Sequence, residues 1–213
     1  WYRGGESRDE GELPGEVAVV WSDTRSGDRG VFTQVLGVDG EWKYDIGGLK
    51  VADSTGRQED PGIWPDPTDG GWFIAWEDFD MWTEGDNTLG DTLGDIYCTK
   101  IDAEGNRVWG DSERGVPVSV FDGVQEDVRI VQDGEGGCII AWRDQRGGDS
   151  GDIYAQHIRA DGTPDPRWSL NGRVVVAAPG QQVNHTADVD GAGGMIIGWK
   201  DDRIGGDFNI WAQ

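Results

Sequence analysis

The sequence predicts an all-β, β-propeller-like chain of about 3.3 four-stranded blades. Three observations carry this. A pair of short apolar runs joined by an acidic turn recurs four times along 213 residues. Glycine (36 residues) and tryptophan (12) are in excess, and they fall at turns and at run ends. No segment of ten residues or more carries the 3.6-residue apolar stripe of a helix.

The first run of each unit ends in tryptophan: residues 17–21 (VAVVW), 72–76 (WFIAW), 138–142 (CIIAW) and 195–199 (MIIGW). Both alternating faces of these runs are apolar, as in a strand covered on two sides. The acidic turn follows, as Trp21, Asp23, Arg25; Trp76, Asp78; Trp142, Asp144, Arg146; and Trp199, Asp201, Arg203. The second run is residues 30–34, 95–99, 152–156 or 209–213. It alternates, with Ile153 and Ala155 on one face and Asp152, Tyr154 and Gln156 on the other. An Asp-Gly or Glu-Gly turn comes next, then a tryptophan (Trp42, Trp109, Trp168) taken as equivalent in three units. A third run, a glutamine (Gln58, Gln125, Gln182) and a last strand-like segment complete the unit.

The spacing is regular. From the tryptophan to the second run takes 9, 19, 10 and 10 residues, and from there to the next tryptophan 46, 47 and 47. The outlier is one insertion, within the loop 77–95. The units are therefore 17–71, 72–137 with its inserted acidic loop, 138–194, and a partial unit 195–213. Residues 1–16 read as the remnant of a preceding blade. Because closed propellers have four to eight blades, the chain is expected to belong to a larger propeller or to be completed by a partner. Open blade edges invite pairing with another chain or a second copy.

Turn glycines supply the positive φ that tight hairpins need. Tryptophans fill the wedge between blades packed face to face.

The motifs resemble the tryptophan-rich, propeller-type repeats of secreted and surface proteins of bacteria. Asp190 to Gly194 before the run 195–199, and Trp142, Asp144 and Arg146 before Asp152-Ile153-Tyr154-Ala155-Gln156, carry the likeness, which covers residues 17–213. Unit two departs from it: Asp80 stands in place of the arginine, and the loop is longer. The resemblance implies a bacterial, exported, extracellular or cell-surface module and no particular reaction.

Charge narrows the partners. With 41 acidic against 18 basic residues the net charge is −23, which repels nucleic acid and anionic lipid. No apolar stretch is long enough to insert in a membrane.

The recurring Trp, Asp and Arg read as structural, because scaffold residues repeat and catalytic ones usually occur once. The inserted loop is the most distinctive segment. It holds seven carboxylates, Glu77, Asp78, Asp80, Glu84, Asp86, Asp91 and Asp95. Asp78, Asp80, Glu84, Asp86, Asp91 and Asp95 are candidate ligands for Ca²⁺, which takes 6–8 oxygens; a solvated acidic loop is the alternative. Phe79, Met81 and Trp82 form a candidate binding patch. His157 and His185 lie in no triad or metal spacing, so no catalytic residue is assigned. Cys98 and Cys138 pattern as small buried apolar residues, with a disulfide between them as an alternative.

The expected function is a non-enzymatic module for protein binding or assembly. The alternative is a carbohydrate-active propeller domain, glycosidase-type or glycan-binding. A non-repeated carboxylate pair in a central depression favours the alternative.

Overall fold

A computed structural model describes residues 15–80, 94–110, 114–148, 151–204 and 206–213. They form fourteen strands and, among the described residues, no helix. Blade 1 is β1 (Val17–Ser26), β2 (Asp28–Leu36) and β3 (Leu49–Ala52). Blade 2 is β4 (Gly56–Pro65), β5 (Trp72–Asp80), β6 (Asp95–Ile101) and β7 (Val116–Ser119). Blade 3 is β8 (Gln125–Gln132), β9 (Cys138–Asp144), β10 (Asp152–Ile158) and β11 (Arg173–Val176). Blade 4 is β12 (Gln182–Val189), β13 (Met195–Asp201) and β14 (Asn209–Ala212). Within each blade the strands pair antiparallel in chain order, and one parallel bridge, Arg29 to Arg57, joins blades 1 and 2. The sheets run one strand ahead of the sequence units: the last segment of each unit becomes the first strand of the next blade.

That first strand is the innermost. β4 lies against β8, and β8 against β12. This is the β-propeller-like arrangement that the repeat predicts.

The doubly apolar character of the tryptophan runs follows from the packing. In β5, Trp72, Ile74 and Trp76 enter a core shared with Ala18, Val31, Val35 and Val51 of blade 1. The alternate residues Phe73 and Ala75 enter a second core with Val128, Ile130, Ile140 and Trp142 of blade 3. β9 repeats this: Ile140 and Trp142 face blade 2, while Ile139 and Ala141 meet Ile197 and Trp199 of blade 4. A fully buried side chain of this size contributes about 1.5–3 kcal/mol, so the interfaces between blades hold most of the stabilising area. Cys98 and Cys138 are free thiols, buried in the core between blades 2 and 3.

The tryptophans of blades 1, 2 and 3 each end against a glycine that no other residue can replace without strain. Gly48, Gly115 and Gly172 have φ of +84°, +77° and +91°, and a Cβ at each would lie 3.0 Å or less from Cη2 of Trp21, Trp76 and Trp142. The turn glycines 105 and 162 receive the next aromatic. Tyr44 of blade 1 abuts Gly105, and Trp109 of blade 2 abuts Gly162. Tyr44, not Trp42, is thus the equivalent of Trp109. Bridges from Leu36 to Trp42, Ile101 to Arg107 and Ile158 to Pro164 fix the same alignment. Matching tryptophan to tryptophan placed these residues two positions out of register.

Candidate active site

The acidic turn after each blade tryptophan is one compact unit. In blade 3, Trp142 Nε1 donates to Asp144 Oδ2 at 2.8 Å, the Arg146 amide donates to Oδ1 at 2.9 Å, and Arg146 Nε donates to Oδ1 at 2.8 Å. Blades 1 and 4 build the same unit from Trp21, Asp23 and Arg25 and from Trp199, Asp201 and Arg203. Each arginine also lies over an aromatic ring of the next strand: Arg25 over Phe32 at 4.6 Å, Arg146 over Tyr154 at 4.2 Å, Arg203 over Trp211 at 4.4 Å. The Arg25 guanidinium holds Asp23 down at about 2.

Blade 2 lacks that arginine and fills its place from elsewhere in the chain. Arg114, just before β7, brings Nε to 3.7 Å from Asp78 Oδ2 and its guanidinium to 5.3 Å from the Tyr97 ring. Ser54 Oγ donates to Asp78 Oδ2 at 2.9 Å. Asp78 is therefore committed to the blade scaffold, and burial raises its carboxyl above the ordinary value. Of the other candidate calcium ligands, Glu84, Asp86 and Asp91 lie outside the described residues, as do Met81 and Trp82 of the candidate binding patch. Asp95 stands opposite Asp78 in the β5–β6 ladder. Phe79 is half-buried, with Arg57 4.5 Å from its ring centre. Among the described residues no group of three or more His, Cys, Asp or Glu is placed to hold a metal.

The histidines play different parts. His157 lies between two carboxylates, Nδ1 2.9 Å from Asp165 and Nε2 2.8 Å from Asp133, and its pKa is raised, chiefly by Asp133. In blade 2 Lys100 occupies the same place, held by Asp66 and by Asp69 at 2.8 Å. His185 is buried, and burial lowers its pKa to about 4, leaving it neutral.

The unusual chemistry is at the inner edge of the interface between blades 2 and 3. Each inner strand carries a bulge at the same place, with register shifts at Glu59/Gly62, Glu126/Arg129 and Val183/Thr186. At each bulge a non-glycine residue adopts left-handed backbone: Asp60 (φ 44°), Asp127 (φ 64°) and Asn184 (φ 53°). Such residues cost about 1–3 kcal/mol each and cluster at functional sites. A bulge removes a residue from the ladder and re-aims it. The Asp127 amide, so released, donates to Glu77 Oε1 at 2.6 Å.

Glu77 is 4% exposed. Burial is the main cause that raises its pKa to about 8; the Asp127 amide opposes the shift, and the charges of Asp60, Glu126 and Asp127 add to it. At neutral pH Glu77 is therefore a carboxylic acid with a proton to give. Around it stand carboxylates of differing commitment. Glu126 accepts from Arg143 Nη1 and, at 3.1 Å, from Gln145 Nε2. Asp127 has the Arg129 guanidinium 3.6 Å away. Asp60 is exposed and, among the described residues, makes no side-chain hydrogen bond or ion pair. One protonated carboxyl beside ionised ones is the arrangement that acid–base chemistry requires.

Sequence reasoning did not single out Glu77. The signal was present in the repeat. The position after the blade tryptophan is Ser22, Glu77, Arg143 and Lys200 in the four units, so the acid occurs once.

No family model matches the sequence, and no curated protein matches it. The fold is similar to that of an endo-arabinase from Bacteroides thetaiotaomicron VPI-5482, with a TM-score of 0.52 and 14% identity, over 95% of this chain and 72% of that one. The expectation of a non-enzymatic module for protein binding or assembly is corrected by this finding: the β-propeller-like fold is similar to that of an enzyme, an endo-arabinase.

Proposed function

We propose that the protein is a carbohydrate-active β-propeller domain of the glycosidase type, acting on a neutral glycan. The observation that carries the reading is Glu77, a non-repeated, buried, protonated carboxyl at the inner edge of the blades, set among Asp60, Glu126 and Asp127. The likeness to an endo-arabinase supports it at the level of fold. Glycoside hydrolysis uses a pair of carboxyl groups, one protonated and one ionised. In this reading Glu77 gives its proton to the glycosidic oxygen as the bond to the anomeric carbon breaks. Asp60, exposed and uncommitted, takes a proton from the water whose oxygen bonds to that carbon. The overall charge of −23 disfavours an anionic polymer. Action on polymeric glycan fits a protein working outside the cell.

Affinity electrophoresis in gels of neutral polysaccharides, arabinan among them, tests the reading. Retardation by at least one of them, weakened in Asp60→Ala, is expected. Unretarded migration through all of them contradicts it.

A further inference from the structure

We propose that the left-handed bulge at Asp127 is a positioning device: its backbone amide occupies Glu77 Oε1 and so fixes Oε2 as the oxygen that carries the transferable proton. The inference rests on the reading of Glu77 as the proton donor.

The argument begins with the three bulges. They share one position in the inner strands and one backbone conformation. Each inner strand lies against the tryptophan strand of the preceding blade: β4 against β1, which carries Ser22, β8 against β5, which carries Glu77, and β12 against β9, which carries Arg143. Arginine has no acceptor to offer an amide. Among the described residues, Asp127 is the bulge residue whose amide is taken by a side chain of the neighbouring blade.

Hydrogen-bond chemistry then assigns the proton. An N–H donates to an oxygen with a free lone pair, and in a neutral carboxyl the better acceptor is the carbonyl oxygen. With Oε1 so engaged at 2.6 Å, the O–H belongs to Oε2. The contact also restricts the side chain's torsions, so the acid is held in one orientation before substrate arrives. The charged groups facing Glu77 are Asp60 and Glu59 from β4 and Glu126 and Asp127 from β8; across the ladder in β6 stands Ile96, which carries no charge. Asp127 thus acts in two opposed ways. Its carboxylate favours the protonated form of Glu77, and its amide favours the ionised form.

Backbone and side chain can be separated by substitution. Asn and Gly tolerate left-handed backbone and keep the amide in place, whereas β-branched Val does not. All three variants lose the carboxylate, so the amide is read from the difference between them: kcat of Asp127→Val should lie about tenfold or more below that of Asp127→Asn and Asp127→Gly, with KM little changed among the three. The carboxyl carbon of Glu77, followed by ¹³C NMR in isotopically labelled protein, should titrate higher in Asp127→Val than in Asp127→Asn. Should the valine variant not fold, Asp127→Ala provides a milder displacement with the same readouts. Equal kcat and equal titration midpoints across the Asn and Val (or Ala) variants overturn the proposal. Absence of glycan cleavage by the parent protein instead overturns the functional reading, and the titration midpoints still decide whether the amide acts on Glu77.

Discussion

Glu77 and Arg143 occupy the same register position of successive blades, each directly after its blade's buried tryptophan, and Glu126 lies between their two roles. Arg143 donates to Glu126 and keeps that carboxylate paired, while the charge of Glu126 helps keep Glu77 protonated. A repeat that merely builds blades has no need of opposite charges at one position. The substitution of one residue in an otherwise repeated turn is what turns a scaffold position into a chemical one.

The raised pKa of Glu77 has a consequence for stability. In the unfolded chain a glutamate titrates near 4.3, and in the folded protein Glu77 does so at about 8. Between those values the folded state binds the extra proton, so stability falls as pH rises, by up to ~1.4 kcal/mol per pH unit from this group. Glu77→Gln, which cannot ionise, should remove that slope. Urea denaturation of both proteins from pH 4 to 9 checks this; parallel curves refute it.

His157 should show the same sign in a different window. Its raised pKa means that its pairing with Asp133 and Asp165 contributes fully below about 6.5, the unfolded value. The contribution disappears as pH climbs through the higher folded value. Lys100 fills the equivalent place in blade 2 with a permanent charge. His157→Lys should therefore preserve stability and abolish the loss that sets in above about pH 6.5, whereas His157→Gln should cost about 1–3 kcal/mol below pH 6. Thermal denaturation at pH 5.5 and 8 distinguishes the two.

Arg114 is expected to behave as the missing arginine of blade 2. Removing it leaves the buried Asp78 without its cation, and Arg114→Ala should cost about 1–3 kcal/mol. Arg159→Ala, an exposed pair with Asp161, should cost under about 1 kcal/mol. A smaller loss for Arg114 than for Arg159 in chemical denaturation contradicts the assignment.

Gly172 should tolerate no side chain. Its φ of +91° strains any other residue, and a Cβ would overlap the Trp142 indole. Gly172→Ala should destabilise by about 1–3 kcal/mol through overpacking, more than Gly191→Ala, where nothing stands within 4 Å.

Much of the fold is legible in the sequence, because the two-sided burial of the tryptophan strands writes itself as continuous apolar runs. Run lengths and spacings then follow from blade size. The alignment of Trp42 with Trp109 went astray because residue type is a poorer guide than register: Tyr44 supplies the aromatic that meets Gly105. Arg114 was illegible for a related reason, since it reaches Asp78 from a different part of the blade. The candidate site escaped sequence reading because its chemistry depends on burial and on a bulge. Among 41 acidic residues, the repeat marks Glu77 as the one acid at its position, but its burial and its contact with the Asp127 amide are visible in the fold alone. The bulges at Asp60, Asp127 and Asn184 leave no sign that a propensity argument detects, as acidic residues and asparagine are also ordinary in turns.

The central claim is that Glu77 donates a proton to a glycan. The most direct measurement is the release of reducing ends from neutral polysaccharides by the parent protein and by Glu77→Gln, with binding followed in parallel. The account predicts cleavage by the parent, a loss of about a hundredfold or more in kcat for the variant, and retained glycan binding. Cleavage by Glu77→Gln at the parent rate, or no cleavage by the parent, contradicts it.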